Sequence, residues 1–308
     1  MIHPKHFLRL LPALAGFILI LQGCSEMPVD DGHEADPPEQ QARLLPGTEF
    51  DAGALDVEEL EAIDPGSIAQ AADLGPTAEA VNLRAAGLER AAKGGPLAHA
   101  HIIRPGESIQ EAVSGAAPGT TILVSPGTYL ESITIDTPRL KLIGLRGRHG
   151  HVPVVENPGS ETSGITILAD GVALVGINVS GFEENGVLLF GTDGFVLLSV
   201  NATGNGRYGI AATSSANGLV SHCSASGSAD AGLFIFESRN VLLQHSTARE
   251  NVLGIEVENS SNILVRRNRS LGNVTGLLAV LVPGFDVKTS ENLVISHNEV
   301  GPGRTKLS

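Results

Sequence analysis

The sequence predicts an all-β solenoid, and three observations carry the prediction: a glycine recurring at a fixed step, a second apolar run at a fixed distance from it, and a polar side chain at a fixed distance beyond that. Gly164, Gly186, Gly209, Gly232, Gly254 and Gly276 follow one another at steps of 22, 23, 23, 22 and 22 residues, and each opens a short apolar run. A unit this short cannot bury its own hydrophobic face. Repetition at about 20 to 25 residues therefore means coils whose core forms only between stacked neighbours.

Within the glycine strand, period-2 alternation assigns the faces. Val187, Ile210, Leu233, Ile255 and Leu277, with Leu189, Ala212, Ile235, Val257 and Ala279, are expected to line the core. The alternate set, which includes Phe234, Phe236, Glu256 and Glu258, looks outward and is more apolar than a solvated face should be. Thirteen residues before the last five glycines stand Ala173, Val196, Leu219, Val241 and Ile263, which head the second strands. Five positions further on come Asn178, Asn201, Ser224, Ser246 and Asn268, and the row continues at Asn298. Stacked at one corner, these are expected to hydrogen-bond along the axis as a ladder. Turn propensity explains each one singly but not their shared phase.

The entry to the coils has its own signature. Ser108 followed by Glu111 makes a capping box, and Ile109, Ala112 and Val113 form one apolar face before Gly115 ends the segment. A short helix here covers backbone and core that the first coil would otherwise expose. This run from Ile102 to Val113, then Gly119-Thr-Thr-Ile-Leu-Val-Ser-Pro-Gly-Thr-Tyr129 and Leu140-Lys-Leu-Ile-Gly-Leu145, resembles the start of the right-handed parallel β-helix, or pectin-lyase-like, family. The resemblance spans roughly residues 100 to 300 and implies right-handed coils of about 22 residues behind an N-terminal capping helix. Asp230 to Val282 is similar to uncharacterised bacterial parallel β-helix repeat proteins. Lyases, hydrolases, epimerases and adhesins share the fold, so the resemblance implies no single chemistry.

The N-terminus supplies an address. Lys5, His6 and Arg9 precede an apolar stretch reaching Leu21, the layout of a secretory signal peptide too short for a comfortable membrane span. It ends Leu21-Gln22-Gly23-Cys24, which resembles the lipobox of bacterial lipoproteins. That implies cleavage after residue 23, lipid on Cys24 and, with Ser25 following, sorting to a Gram-negative outer membrane. Residues 24–97 form an acidic tether: up to Asp64 only Arg43 opposes thirteen acids, too charged and too poor in large apolar groups to fold alone. Ile68 to Ala92 is rich enough in Ala and Leu for one or two short helices. The β-helix domain then runs 98–308. A net charge of −14 argues against nucleic acid as a partner.

Candidate chemistry is sparse. With Cys24 lipidated, Cys223 is left without a disulfide partner and reads as a packing residue. The paired aspartates of polygalacturonase-like proteins and the Asp-Pro-His-Asp motif of alginate epimerases are both missing. His149 and His151 sit in a Gly, Arg and Pro loop and read as solvated. The best site is the outward face formed by Phe234, Phe236, Glu237, Glu256, Glu258 and Asn259, with Phe234 stacked above Glu256 and Phe236 above Glu258. Its carboxylates can hold Ca²⁺ or sugar hydroxyls beside a ring platform, or the rings and acids can simply pack. Arg266, Arg267 and Arg269 form the basic cluster, open to an acidic polymer or to pairing with acids such as Glu250. His222, His245 and His297 are expected at different phases of the second strand and its corner, and so not to form a metal set.

At the far end, Ile263 to Leu293 spans 30 residues, so Val282 to Thr289 reads as a loop bulging from the stack, and Lys306 stands where the repeat asks for glycine. Uncapped strand edges there invite self-association. The expected task is binding or organising an extended polymer, in the first place an envelope polysaccharide. A polysaccharide lyase, epimerase or glycoside hydrolase, or a module that docks an envelope protein, remains open.

Overall fold

In a computed structural model, residues 100–147 and 150–302 are described in full and 18–21 by their backbone alone. The remaining residues of the expected signal peptide, Cys24, the expected tether, His149 and Lys306 lie outside them. The chain is a right-handed parallel β-helix whose coils build three sheets. The glycine sheet stacks Ile133–Ile135, Ser163–Ile167, Asn185–Phe190, Tyr208–Thr213, Ala231–Phe236, Leu253–Glu258 and Thr275–Val280. The second sheet runs from His101–Ile103 to Leu293–Ser296, and the third from Thr128–Leu130 to Glu299–Val300. Ile18–Leu21 closes the glycine sheet, pairing antiparallel with Thr275–Val280 so that Leu21 faces Leu277.

The expected core columns are present. Ile133, Ile165, Val187, Ile210, Leu233, Ile255 and Leu277 stand in register, and Ile135 to Ala279 form the column beside them. All belong to one interior cluster except Ala279, which is also buried. The repeat glycine has a steric cause rather than a conformational one. A Cβ at Gly186 would lie 2.6 Å from the Gly209 carbonyl oxygen, and one at Gly254 would lie 2.5 Å from that of Gly276. The small residue lets successive coils approach where the chain enters the sheet.

Two sequence expectations need correction. The phase of the second strand slips by one residue: Leu219 pairs with Leu242, and Val241 pairs with Gly218. Ala173, Val196, Leu219, Leu242 and Leu264 consequently form an outer column, whereas Val241 and Ile263 point into the core. That outer column is itself buried, as expected for parallel strands apolar on both faces. The slip also splits the ladder. Cys223 N donates to Ser246 Oγ at 3.1 Å, Ser246 N to Asn268 Oδ1 at 2.9 Å and Asn268 N to Asn298 Oδ1 at 2.9 Å. Asn178, Asn201 and Ser224 instead open strands of the third sheet, one residue further on.

The other two corners carry interior ladders of their own, Thr192–Ser215–Ser238–Ser260 and Asn205, Asn251 and Asn273, each accepting from backbone N–H groups of the coil before it. Such bonds satisfy amides at bends that water does not reach.

The cap helix, Ile109–Ser114, buries Ile109 and Val113 over the first coil. Ser108 Oγ accepts from Glu111 N at 3.1 Å, and Glu131 accepts from Ile109 N and Gln110 N at 2.8 and 3.0 Å. A carboxylate at a helix N-terminus answers its unpaired amides.

Candidate functional site on the glycine sheet

Three adjacent strands, Tyr208–Thr213, Ala231–Phe236 and Leu253–Glu258, present the predicted residues in register: Phe234 opposite Glu256 and Phe236 opposite Glu258. The rings form a continuous stack. Tyr208 and Phe234 lie 4.4 Å apart at 19°, Phe234 and Phe236 5.7 Å apart at 10°, and Phe285 meets Phe236 edge-on at 4.9 Å. Arg207 lies 4.8 Å over the Tyr208 ring and 3.8 Å from Asp230.

The face is not the open platform the alternation suggests. Phe234, Phe236 and Glu256 are 7%, 6% and 8% exposed, and Glu258 is half-buried. Part of the cover is the loop after Val280. Asn259, fully buried, accepts from Val282 N at 2.8 Å and donates to the carbonyls of Val282 and Val287 at 2.9 and 2.6 Å. Glu237 accepts from Val287 N at 3.0 Å. Glu237 and Asn259 therefore anchor the loop that carries Phe285, and the accessible chemistry falls to Tyr208, Arg207, Asp230 and Glu258, with Glu256 buried behind them. Tyr208, Arg207 and Asp230 escaped the sequence reading, although Tyr208 is one of only two tyrosines and heads a glycine strand.

Crowding of acids in a covered place controls the electrostatics. Burial first, then the charges of Glu258 and Asp230, push Glu256 up to about 8, against the pull of Arg207. Burial, Asp230 and Glu237 push Glu258 up to about 7. Burial and the neighbouring acids likewise raise Tyr208. A carboxyl that keeps its proton near neutrality both donates and accepts a hydrogen bond. Among the described residues no three His, Cys, Asp or Glu side chains are grouped so as to hold a metal ion.

The remaining candidates separate clearly. Cys223 is buried, its thiol pushed up to about 12 chiefly by burial, with Sγ near the carbonyls of Leu197 and Ser221. It is a packing residue. His151 is exposed on its loop. Arg269 pairs with Glu299 at 2.7 Å, and Arg266 Nε donates to Gln244 Oε1 at 3.2 Å. His222, His245 and His297, expected at different phases, stand in one corner column with Arg267, because the strands before them pair Ser221 with Gln244, Gln244 with Arg266 and Arg266 with Ser296.

Coils, glycine columns and corner ladders together define a right-handed parallel β-helix repeat protein. Residues 163–302 match the family described as the right handed beta helix region. No curated protein matches the sequence. Among solved structures, the chain is similar to an alginate lyase from Paenibacillus sp. str. FPU-7 at 16% identity, covering 56% of this chain and 76% of that one with a TM-score of 0.39. It is similar to the pectate lyase Pel9A at 13% identity, covering 67% and 78% with a TM-score of 0.41. A periplasmic alginate epimerase shares 14% identity over 67% of this chain and 55% of that one, with a TM-score of 0.40.

Proposed function

We propose that the protein is a lipid-anchored envelope protein that binds a hydroxyl-rich polysaccharide along the outer face of the glycine sheet. The observation that carries this reading is the pair Glu256 and Glu258, held near neutrality beside the Tyr208–Phe234–Phe236 stack. The half-buried Tyr208 ring, backed by the covered Phe234 and Phe236, offers a sugar an apolar contact, and a carboxyl able to donate and accept suits its hydroxyls. Strands about 4.8 Å apart extend the same surface in the direction of a long polymer. The anchor rests on the Leu21-Gln22-Gly23-Cys24 ending, and the acidic tether sets the domain away from the membrane.

A second reading draws on the same two acids: near-neutral carboxyls are suited to proton transfer at pH 7. One experiment separates the two. The purified protein is applied to immobilised neutral and acidic polysaccharides, alongside Tyr208→Ala and Glu256→Gln/Glu258→Gln, and the eluates are assayed for new reducing ends and unsaturated products. Retention of the parent, weakened in both variants and without product, is expected. Product formation by the parent would favour the enzyme, and absence of retention on every polysaccharide would overturn both readings.

A further inference from the structure

Each coil turns its corners on residues with positive φ, a conformation that glycine and asparagine adopt most readily. One corner column is Gly181, Gly204, Gly227 and Gly272, interrupted by Glu250, and another is Asn217, Asn240, Asn262 and Asn292. The column between the second and third sheets begins the same way with Gly176 and Ser199, then departs to His222, His245, Arg267 and His297, at φ of 54, 49, 53 and 53°. Histidine accepts this conformation much as asparagine does, so the backbone permits these side chains without requiring them; what sets the line apart is that basic groups fill it in four successive coils, whereas Ser214, Glu237 and Asn259 fill the corner after the glycine strands at φ of 50, 45 and 45°.

All four side chains are exposed. The His222 and His245 rings stack at 5.1 Å and 18°, with Ser221 Oγ 2.9 Å from His222 Nδ1. Arg266, steadied by Gln244, lies beside the column on the second-sheet side and Arg269 on the third-sheet side, whereas Arg249 ends its strand at the far side of the third sheet. The one acid among these neighbours is Glu299, bound to Arg269, while Glu250 stands at the far corner of the third sheet. In a chain of net charge −14 this is a basic line several coils long.

We propose that this column binds a linear glycan bearing phosphate or sulfate esters, laid along the helix axis. The rungs repeat at about the strand spacing of 4.8 Å. A tetrahedral ester offers several oxygens in a tripod, so it accepts from two successive rungs, whereas a planar carboxylate satisfies a single guanidinium edge-on. Burial and the charges of His222, Arg267 and Arg266 lower His245, so its ring stays neutral further into acid than a free imidazole and takes up its proton more readily once an anion sits on the line. This site is separate from the glycine-sheet site on residues, corner and ligand charge.

The test replaces His222, His245 and Arg267 together with Asn, the residue that fills the same backbone conformation one corner away. Full-length parent and variant are titrated at pH 6 and pH 8 with phosphorylated mannan and with dextran sulfate, using alginate and plain dextran as comparators. The parent should bind at least one of the two esterified polymers, more tightly at pH 6 and less at high salt. The variant should keep the parent's melting temperature and lose about tenfold or more in affinity. Made in the Glu256→Gln/Glu258→Gln background, the three Asn changes should cost the same factor on these polymers, which separates this column from the glycine-sheet site. No binding of either esterified polymer by the parent, equal affinity of the Asn variant for them, or an equal loss by that variant on alginate or plain dextran, would overturn the proposal.

Discussion

Glu256 illustrates how much a single side chain can tie stability to pH. In the native coil it keeps its proton up to about pH 8, whereas in the unfolded chain it loses it near the ordinary carboxylate value of about 4.3. Between those values the folded state binds more protons, so its stability is complete below about pH 4.3 and is lost as pH rises towards 8. Each unit of separation is worth roughly 1.4 kcal/mol. Glu256→Gln should therefore raise the melting temperature at pH 8, leave it nearly unchanged at pH 4, and flatten the pH profile between them. A profile identical to the parent's would show that Glu256 is ionised at neutrality. The carboxyl pair was legible in the sequence because two acids two residues apart in a strand must share a face. Its burial was not legible, because the cover includes a loop held by a contact between Glu237 and Val287, 50 residues apart.

Strands differed in how openly they declared themselves. Six-residue glycine strands such as Ala231–Phe236 alternate long enough for the core columns to be read directly. In the second sheet, Gly218-Leu219-Val220 and Val241-Leu242-Leu243 are apolar on both faces, so alternation vanishes and a one-residue slip leaves no trace. Third-sheet strands place one small residue inward per coil, Val179, Ala202, Ala225 and Ala248, too little for a hydrophobic run. The glycines give a test at this scale. Gly186→Ala puts a methyl against backbone at 2.6 Å and should lower stability by about 1–3 kcal/mol, with a clear drop in melting temperature. Gly191→Ala, at φ 66° with open space around it, meets only backbone strain and should cost about 1–2 kcal/mol. Both calorimetric costs matter here, since an unchanged melt for Gly186→Ala would remove close approach as the reason for the repeat glycine.

Across the whole molecule, the two ends of the solenoid are closed differently. The first coil has its helix, but the last glycine strand is paired by Ile18–Leu21, within the stretch whose predicted fate is removal before Cys24. Processing would bare the edge of Thr275–Val280, and an unpaired strand edge is a template for another chain. A chain beginning at residue 24 should sediment as concentration-dependent oligomers, and Leu278→Lys/Val280→Lys should return it towards monomer. Palmitate labelling of the full precursor, abolished in Cys24→Ala, checks the processing itself. A processed chain that stays monomeric at every accessible concentration would mean that the edge is covered by another segment.

The corner columns have a consequence for how such a chain can change over generations. Every coil contributes one residue to each column and touches only its two neighbours, so duplicating a unit of 22 or 23 residues lengthens every corner column by one place and disturbs nothing else. A column that grips a polymer would then gain one more grip per duplication, each already held at high local concentration by the others. Grip strength in such a lineage can be adjusted by counting coils, while a single exchange of asparagine for histidine at a corner decides which column does the holding.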